Sequence, residues 1–119
     1  MRLATLTEPV NPSPDRIVWT QSLFREINDR VKPQDLALLR EDPGALLGFV
    51  CECGSRRCTE LMLMTLDEYE RLRTEPTRFA VLPNHHFDQV ERILERNERF
   101  FLIEKIGHTA EIASERNPR

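Results

Sequence analysis

Every cysteine of this 119-residue chain falls in one short segment, Cys51-Glu52-Cys53-Gly54-Ser55-Arg56-Arg57-Cys58. Three is an odd number, and a disulfide framework uses cysteines in pairs spread along the chain. A bridge between Cys51 and Cys53 would be strained, because disulfide geometry is narrow. Thiolates gathered this closely suit a metal ion, which zinc provides as a tetrahedral centre for sulfur and imidazole nitrogen. In an extended segment, residues two apart face the same side. Cys51 and Cys53 can therefore point at one ion, Gly54 permits a backbone reversal, and Cys58 returns to the same place. The pattern C-x-C-G-x3-C is workable for zinc, although it differs from the commoner C-x2-C knuckle.

Three thiolates need a fourth ligand, and histidine is the usual one. The chain offers His85, His86 and His108. The first two lie in the segment Pro83-Asn84-His85-His86, between an expected strand and an expected helix, where a ligand is held firmly. His108 follows Gly107 near an end expected to fray. A closed set of three cysteines and one histidine is structural, since a catalytic zinc keeps one position open. Three other uses of the cysteines stay open: buried free thiols, a redox switch at Cys58, and an iron–sulfur cluster.

Around this cluster the patterning predicts an α+β fold: a small single domain with a short antiparallel sheet, three to four helices and a structural metal site. Residues 1–14 carry Pro9, Pro12 and Pro14 and read as a flexible tail, with residues 15–119 forming the domain. A helix capped by Asp15 is expected to run to Val31, with Trp19, Leu23, Phe24, Ile27 and Val31 as its inward stripe. A short helical turn over 35–40 should face Leu36 and Leu39 inward. Residues 46–53 and 59–64 read as a hairpin of strands, the second apolar on both faces and so buried. Thr65-Leu66-Asp67-Glu68 is a capping box, opening a helix to about Thr74. A short strand over 79–82, a helix over 88–97, a strand over 99–106 and a tail with a short apolar pattern at Ala110, Ile112 and Ala113 that then frays complete the prediction.

The hydrophobic fraction is 39%, the charged fraction 31% and the net charge -3. This balance is that of a soluble protein and argues against broad binding of nucleic acid, which needs a basic surface. Arg56 and Arg57 are the only clear support for a nucleic-acid-binding zinc module. No apolar run reaches the roughly 20 residues of a membrane span, and the N-terminus is too short and polar for a signal peptide, so the expected location is the cytoplasm. The chain has no phosphate-cradling glycine loop and no nucleophile elbow. Glu60, Asp67, Glu68 and Glu70 read as caps and solvated faces rather than as acid–base pairs, and a Cys58–His86 nucleophile pair gives way to metal ligation. Trp19, Phe24, Phe79, Phe100 and Phe101 read as core.

The segments FVCECGSRRCTE, TLDEYERLRTEPTRFAVLPNHH, VERILERNERFFLIEK and SERNPR resemble an uncharacterised family of small bacterial proteins. That family carries a CECG-x3-C segment, a T-L-x-E-Y-E helix, an R-F-x-V-x-P-x-H segment and a V-V-E-K strand. The resemblance covers about residues 20–119, and the histidine of its P-x-H segment falls on His85. Asn84 stands where the family has glycine, and His86 where it has an acidic residue, which adds a rival ligand. The resemblance implies a zinc site of Cys51, Cys53, Cys58 and His85 but no activity. The functional expectation is a non-enzymatic zinc-binding protein acting through an unidentified protein partner, with a regulatory role. A thiol-based redox or metal sensor is the main alternative. The N-terminal helix, set off by its prolines, is the expected route to a partner or a homodimer.

Overall fold

A computed structural model describes residues 13–30, 32–55, 58 and 60–117. The expected tail lies outside them except for Ser13 and Pro14. These two residues begin the first helix, α1 (Pro14–Asn28): the Ser13 side chain, not that of Asp15, accepts from the N–H of Arg16. A proline at the start loses no helical hydrogen bond there.

The α1 helix forms where expected but faces the other way. Trp19, Leu23 and Ile27 are each about half exposed, while Val18, Gln21, Ser22, Arg25 and Asn28 are buried. The cause is a polar seam beneath the helix. Gln21 donates to the Glu91 carboxylate at 2.7 Å. The Arg25 guanidinium lies 4.3 Å from the Phe79 ring centroid and donates to the Ala113 carbonyl at 2.9 Å. Ser22 turns its hydroxyl back to the Val18 carbonyl, so its burial leaves no donor unmet. Buried polar groups with partners fix one docking direction, because turning the helix would strand each of them. Val31 lies outside the described residues.

The second helix, α2 (Pro33–Glu41), buries none of its residues. Leu39 packs against the core as expected, but Leu36 is exposed. Strands β1 (Leu47–Val50) and β2 (Leu61–Met64) form the predicted hairpin, in register from Leu47 with Met64 to Val50 with Leu61. Only one face of β2 is covered: Met62 and Met64 are buried, while Leu61 and Leu63 are exposed. A two-stranded sheet with the core on one side leaves the other side in water. Helix α3 (Leu66–Leu72) opens with the full capping box, Thr65 and Glu68 each reaching the other's backbone. It buries Tyr69, stacked on Phe49 at 4.6 Å, and Leu72.

The second sheet is antiparallel in the order β3-β5-β4, with β3 (Arg78–Val81), β4 (Glu91–Arg96) and β5 (Phe101–Lys105). Residues 91–96, expected within a helix, are therefore a strand. Val90, Ile93 and Leu94 have helical spacing, but β5 needs a second partner, and a register shift between Ile93 and Glu95 absorbs the mismatch with a two-residue period. Glu91 lies opposite Lys105, and their fully buried charges meet at 2.7 Å. The segment after Gly107 does not fray: α4 (His108–Glu115) buries Thr109 and Ala113 and packs on α1.

The class is α+β, with four helices and two small antiparallel sheets among the described residues. Val18, Phe49, Met62, Met64, Tyr69, Phe79, Val81 and Ile103 centre the core. Phe79, Phe100 and Phe101 are buried as expected, whereas Trp19 is not. No described helix is long and apolar enough to cross a membrane.

Candidate metal centre

Beyond Val50 the chain stays extended, and neighbouring residues are held on opposite sides. The Cys51 N–H donates to the Glu60 carbonyl, continuing the hairpin, while the Glu52 N–H donates to the Ala80 carbonyl of β3. The two cysteines thereby face one way and Glu52 the other. The Glu52 carboxylate is fully buried and accepts from Asn28 Nδ2 at 2.9 Å, Tyr69 Oη at 2.9 Å and the Ala80 N–H at 3.0 Å. Burial pushes its pKa up against those hydrogen bonds. Glu52 thus ties α1, α3 and β3 to the strand that presents the thiols.

Gly54 follows at φ +82°, the left-handed region. A Cβ there would stand 2.9 Å from both the Ile17 carbonyl oxygen and Gln21 Cγ, so α1 lies directly on the cysteine loop. The Cys58 N–H then donates to the Ser55 carbonyl at 3.2 Å, closing the return.

The fourth group comes from a turn after β3. The His85 N–H donates to the Leu82 carbonyl at 3.0 Å, with Pro83 second and Asn84 third at φ 69°. Proline followed by a positive φ is the requirement of a type II turn, and that third position favours glycine or asparagine. The choice of asparagine at this position is thereby explained. The turn aims the His85 ring at the cysteines: Nδ1 lies 3.6 Å from Cys51 Sγ and 3.7 Å from Cys58 Sγ. One ligand atom from each of Cys51, Cys53, Cys58 and His85 lies within 4.8 Å of the others, and the group is able to hold a metal ion.

The dimensions suit a single tetrahedral ion. Zinc bonds of about 2.3 Å to sulfur and 2.0–2.1 Å to nitrogen give a nitrogen–sulfur edge of about 3.6 Å. Backbone N–H groups support all three sulfurs: Leu82 donates to Cys51 at 3.2 Å, Ser55 to Cys53 and Glu60 to Cys58. Such donors stabilise thiolates. With no ion, the thiols share protons among themselves. A hydrogen bond from Cys51 draws Cys53 down to about 5; that same bond and then burial push Cys51 up, and burial pushes Cys58 up. One thiolate is favoured by the protein alone, and a dication would supply the charge that ionises the other two.

The other histidines lie elsewhere. His86 Nε2 is 2.9 Å from Asp88, and His108 on α4 faces Glu111 and Asp15. Glu68 is occupied by its cap and by Arg99 at 2.7 Å, and Glu60, Asp67 and Glu70 are on the surface. Arg56 and Arg57, the basic residues of the loop, lie outside the described residues. Sequence reasoning missed Glu52 and Asn28. The pleat alone signals Glu52, since a residue between two inward cysteines must face the other layer. No local pattern signals Asn28.

No protein-family model matches the chain, and no curated protein or solved structure matches it.

Proposed function

We propose that the chain is a small zinc-binding protein whose site of Cys51, Cys53, Cys58 and His85 is structural, and that it acts through a protein partner rather than by catalysis. The observation that carries this reading is the placement of His85 Nδ1 at 3.6 and 3.7 Å from two cysteine sulfurs, the edge length of one tetrahedral zinc. Three sulfurs and one nitrogen fill the tetrahedron and leave no position for a reacting water. An iron–sulfur cluster would spread its ligands over several metal atoms, and its usual set is four cysteines. Elemental analysis of purified protein tests the reading. One zinc per chain is expected, falling sharply in Cys58→Ser and His85→Ala. A metal-free wild type, or a brown sample absorbing in the visible, would refute it.

A second reading, a thiol sensor, is favoured by the position of Cys58, the least buried of the three sulfurs. In that case mild peroxide would take two electrons from a pair of the thiolates, form a disulfide and release the ion. Retention of metal and of free thiols under peroxide counts against it.

A further inference from the structure

The two segments that carry the metal ligands follow strands of different sheets, and Gln21 of α1 reaches the support of both. Its Cγ lies against Gly54 in the cysteine loop, where a Cβ would stand 2.9 Å away. Its Nε2 donates to Glu91 Oε2 at 2.7 Å. The other oxygen of that carboxylate, Oε1, accepts from the Phe87 N–H at 2.7 Å, two residues beyond His85. The histidine segment is thus pinned on both sides of its ligand. Leu82 donates its N–H to Cys51 Sγ at 3.2 Å before His85, and Glu91 holds Phe87 after it. Lys105 Nζ completes the node, 2.7 Å from Glu91 Oε2. Gln21 and the side chains of Glu91 and Lys105 are fully buried. A buried ion pair alone is weak support for a fold, since desolvation offsets the attraction. This one gains its value from the hydrogen bonds around it. A carboxylate that takes donors from α1, from the histidine segment and from β5 fixes all three relative to one another.

We propose that Gln21 and Glu91 are positioning residues of the metal centre, and that through them the docking of α1 is coupled to the binding of the ion. With α1 docked, Gln21 backs the cysteine loop, and Glu91 holds the segment of His85 at the spacing a tetrahedral ion needs. With α1 displaced, Gly54 loses its backing and Glu91 loses a donor. His85 then drifts from the sulfurs, and the ion is held less tightly. Coupling of this kind is reciprocal, so the bound ion holds α1 in place to the same extent. The underside of α1 suits such a release, because the buried Gln21, Ser22, Arg25 and Asn28 are polar and find water on leaving. The inference rests on the zinc reading above and adds a route by which movement of α1 regulates that site.

Competition of the full chain against a zinc indicator tests it, with cobalt substitution as a second readout. Gln21→Met keeps the bulk of the side chain and removes its donor. It should weaken zinc binding by about fivefold or more and shift the visible band of the cobalt-substituted protein, which reports the ligand geometry. Thr65→Ala, which removes only the α3 cap, should leave both unchanged. Gln21→Glu and Glu91→Gln should each weaken zinc binding, and the two together should recover it. The exchanged pair again offers one donor, one carboxylate and a partner for Lys105. A wild type that binds no metal overturns the zinc reading and this coupling with it. A wild type that binds zinc, matched by Gln21→Met in affinity and cobalt spectrum, overturns the coupling alone, as does an exchange that restores nothing.

Discussion

The side chain of Asn28 pairs with the backbone of Val50 as a neighbouring strand would: its Oδ1 accepts from the Val50 N–H at 2.8 Å and its Nδ2 donates to the Val50 carbonyl at 2.7 Å. One amide thus closes the outer edge of β1 one residue before the first cysteine, and the same Nδ2 reaches Glu52. Replacing Asn28 with alanine strands these groups, so we expect a loss of about 2–4 kcal/mol, read as a lower urea midpoint at constant m-value. Asn28→Asp should be nearly as harmful, since a carboxylate cannot donate to the carbonyl or to Glu52.

Metal removal should unfold much of the domain. Structural zinc contributes about 10–16 kcal/mol in small peptides, against a total stability of about 5–15 kcal/mol for an ordinary domain. A strong chelator should therefore abolish near-ultraviolet circular dichroism, and added zinc should restore it. His86→Ala should keep full metal content, because that ring faces Asp88.

The turn at Asn84 gives a finer test. Asn84→Gly should be tolerated or slightly favourable for metal binding. Asn84→Val forces a branched side chain into φ 69°, a strain of about 1–3 kcal/mol that displaces His85. Competition against a zinc indicator should show weaker binding for Asn84→Val alone of the two.

Gly54→Ala combines strain with collision. The backbone is in the left-handed region and the new methyl would meet the Ile17 carbonyl at 2.9 Å. We expect a loss of about 2 kcal/mol or more, together with weaker metal binding, because both α1 and the cysteine loop must shift. Urea unfolding and metal stoichiometry on the same sample would show whether the two effects travel together.

Acid stability should report the Glu68–Arg99 pair. The Arg99 guanidinium, foremost, holds the Glu68 carboxyl down at about 2, from an ordinary value of 4.5. A depressed carboxylate stabilises the fold above its unfolded pKa, and that contribution is lost as pH falls from about 4.5 through about 2. Arg99→Met should therefore lower stability at neutral pH and narrow its gap from wild type across this window. An unchanged gap down to pH 2 would exclude the pair as the cause.

The gathering of Cys51, Cys53, Cys58 and His85 was legible because its information is local: three thiols within eight residues, and a proline-led turn bearing a histidine. The α3 helix was legible for the same reason, through Thr65 and Glu68. The direction of α1 was not. Its stripe of Trp19, Leu23 and Ile27 reads as a core face, and only the remote groups Glu91, Phe79, Val50 and Glu52 explain why the polar side is buried. The β4 segment failed similarly. Val90, Ile93 and Leu94 fit a helix, and the need of β5 for a neighbour is a long-range demand that no window of residues contains. His108–Glu115 showed only a short apolar pattern at Ala110, Ile112 and Ala113 and no helix, because its few apolar residues gain their value only against α1.

Cys58 and His85 stand 27 positions apart, and the segment between them holds β2, α3 and β3. An ion joining them acts as a removable cross-link around a closed loop, much as a disulfide would, and the closure entropy of such a loop rises only slowly with its length. The tie also spans the boundary between the two sheets, beside the pairing of Glu52 with Ala80. Order in the second sheet would then depend on whether the cell supplies the ion, so the availability of zinc could govern how long the protein survives proteolysis.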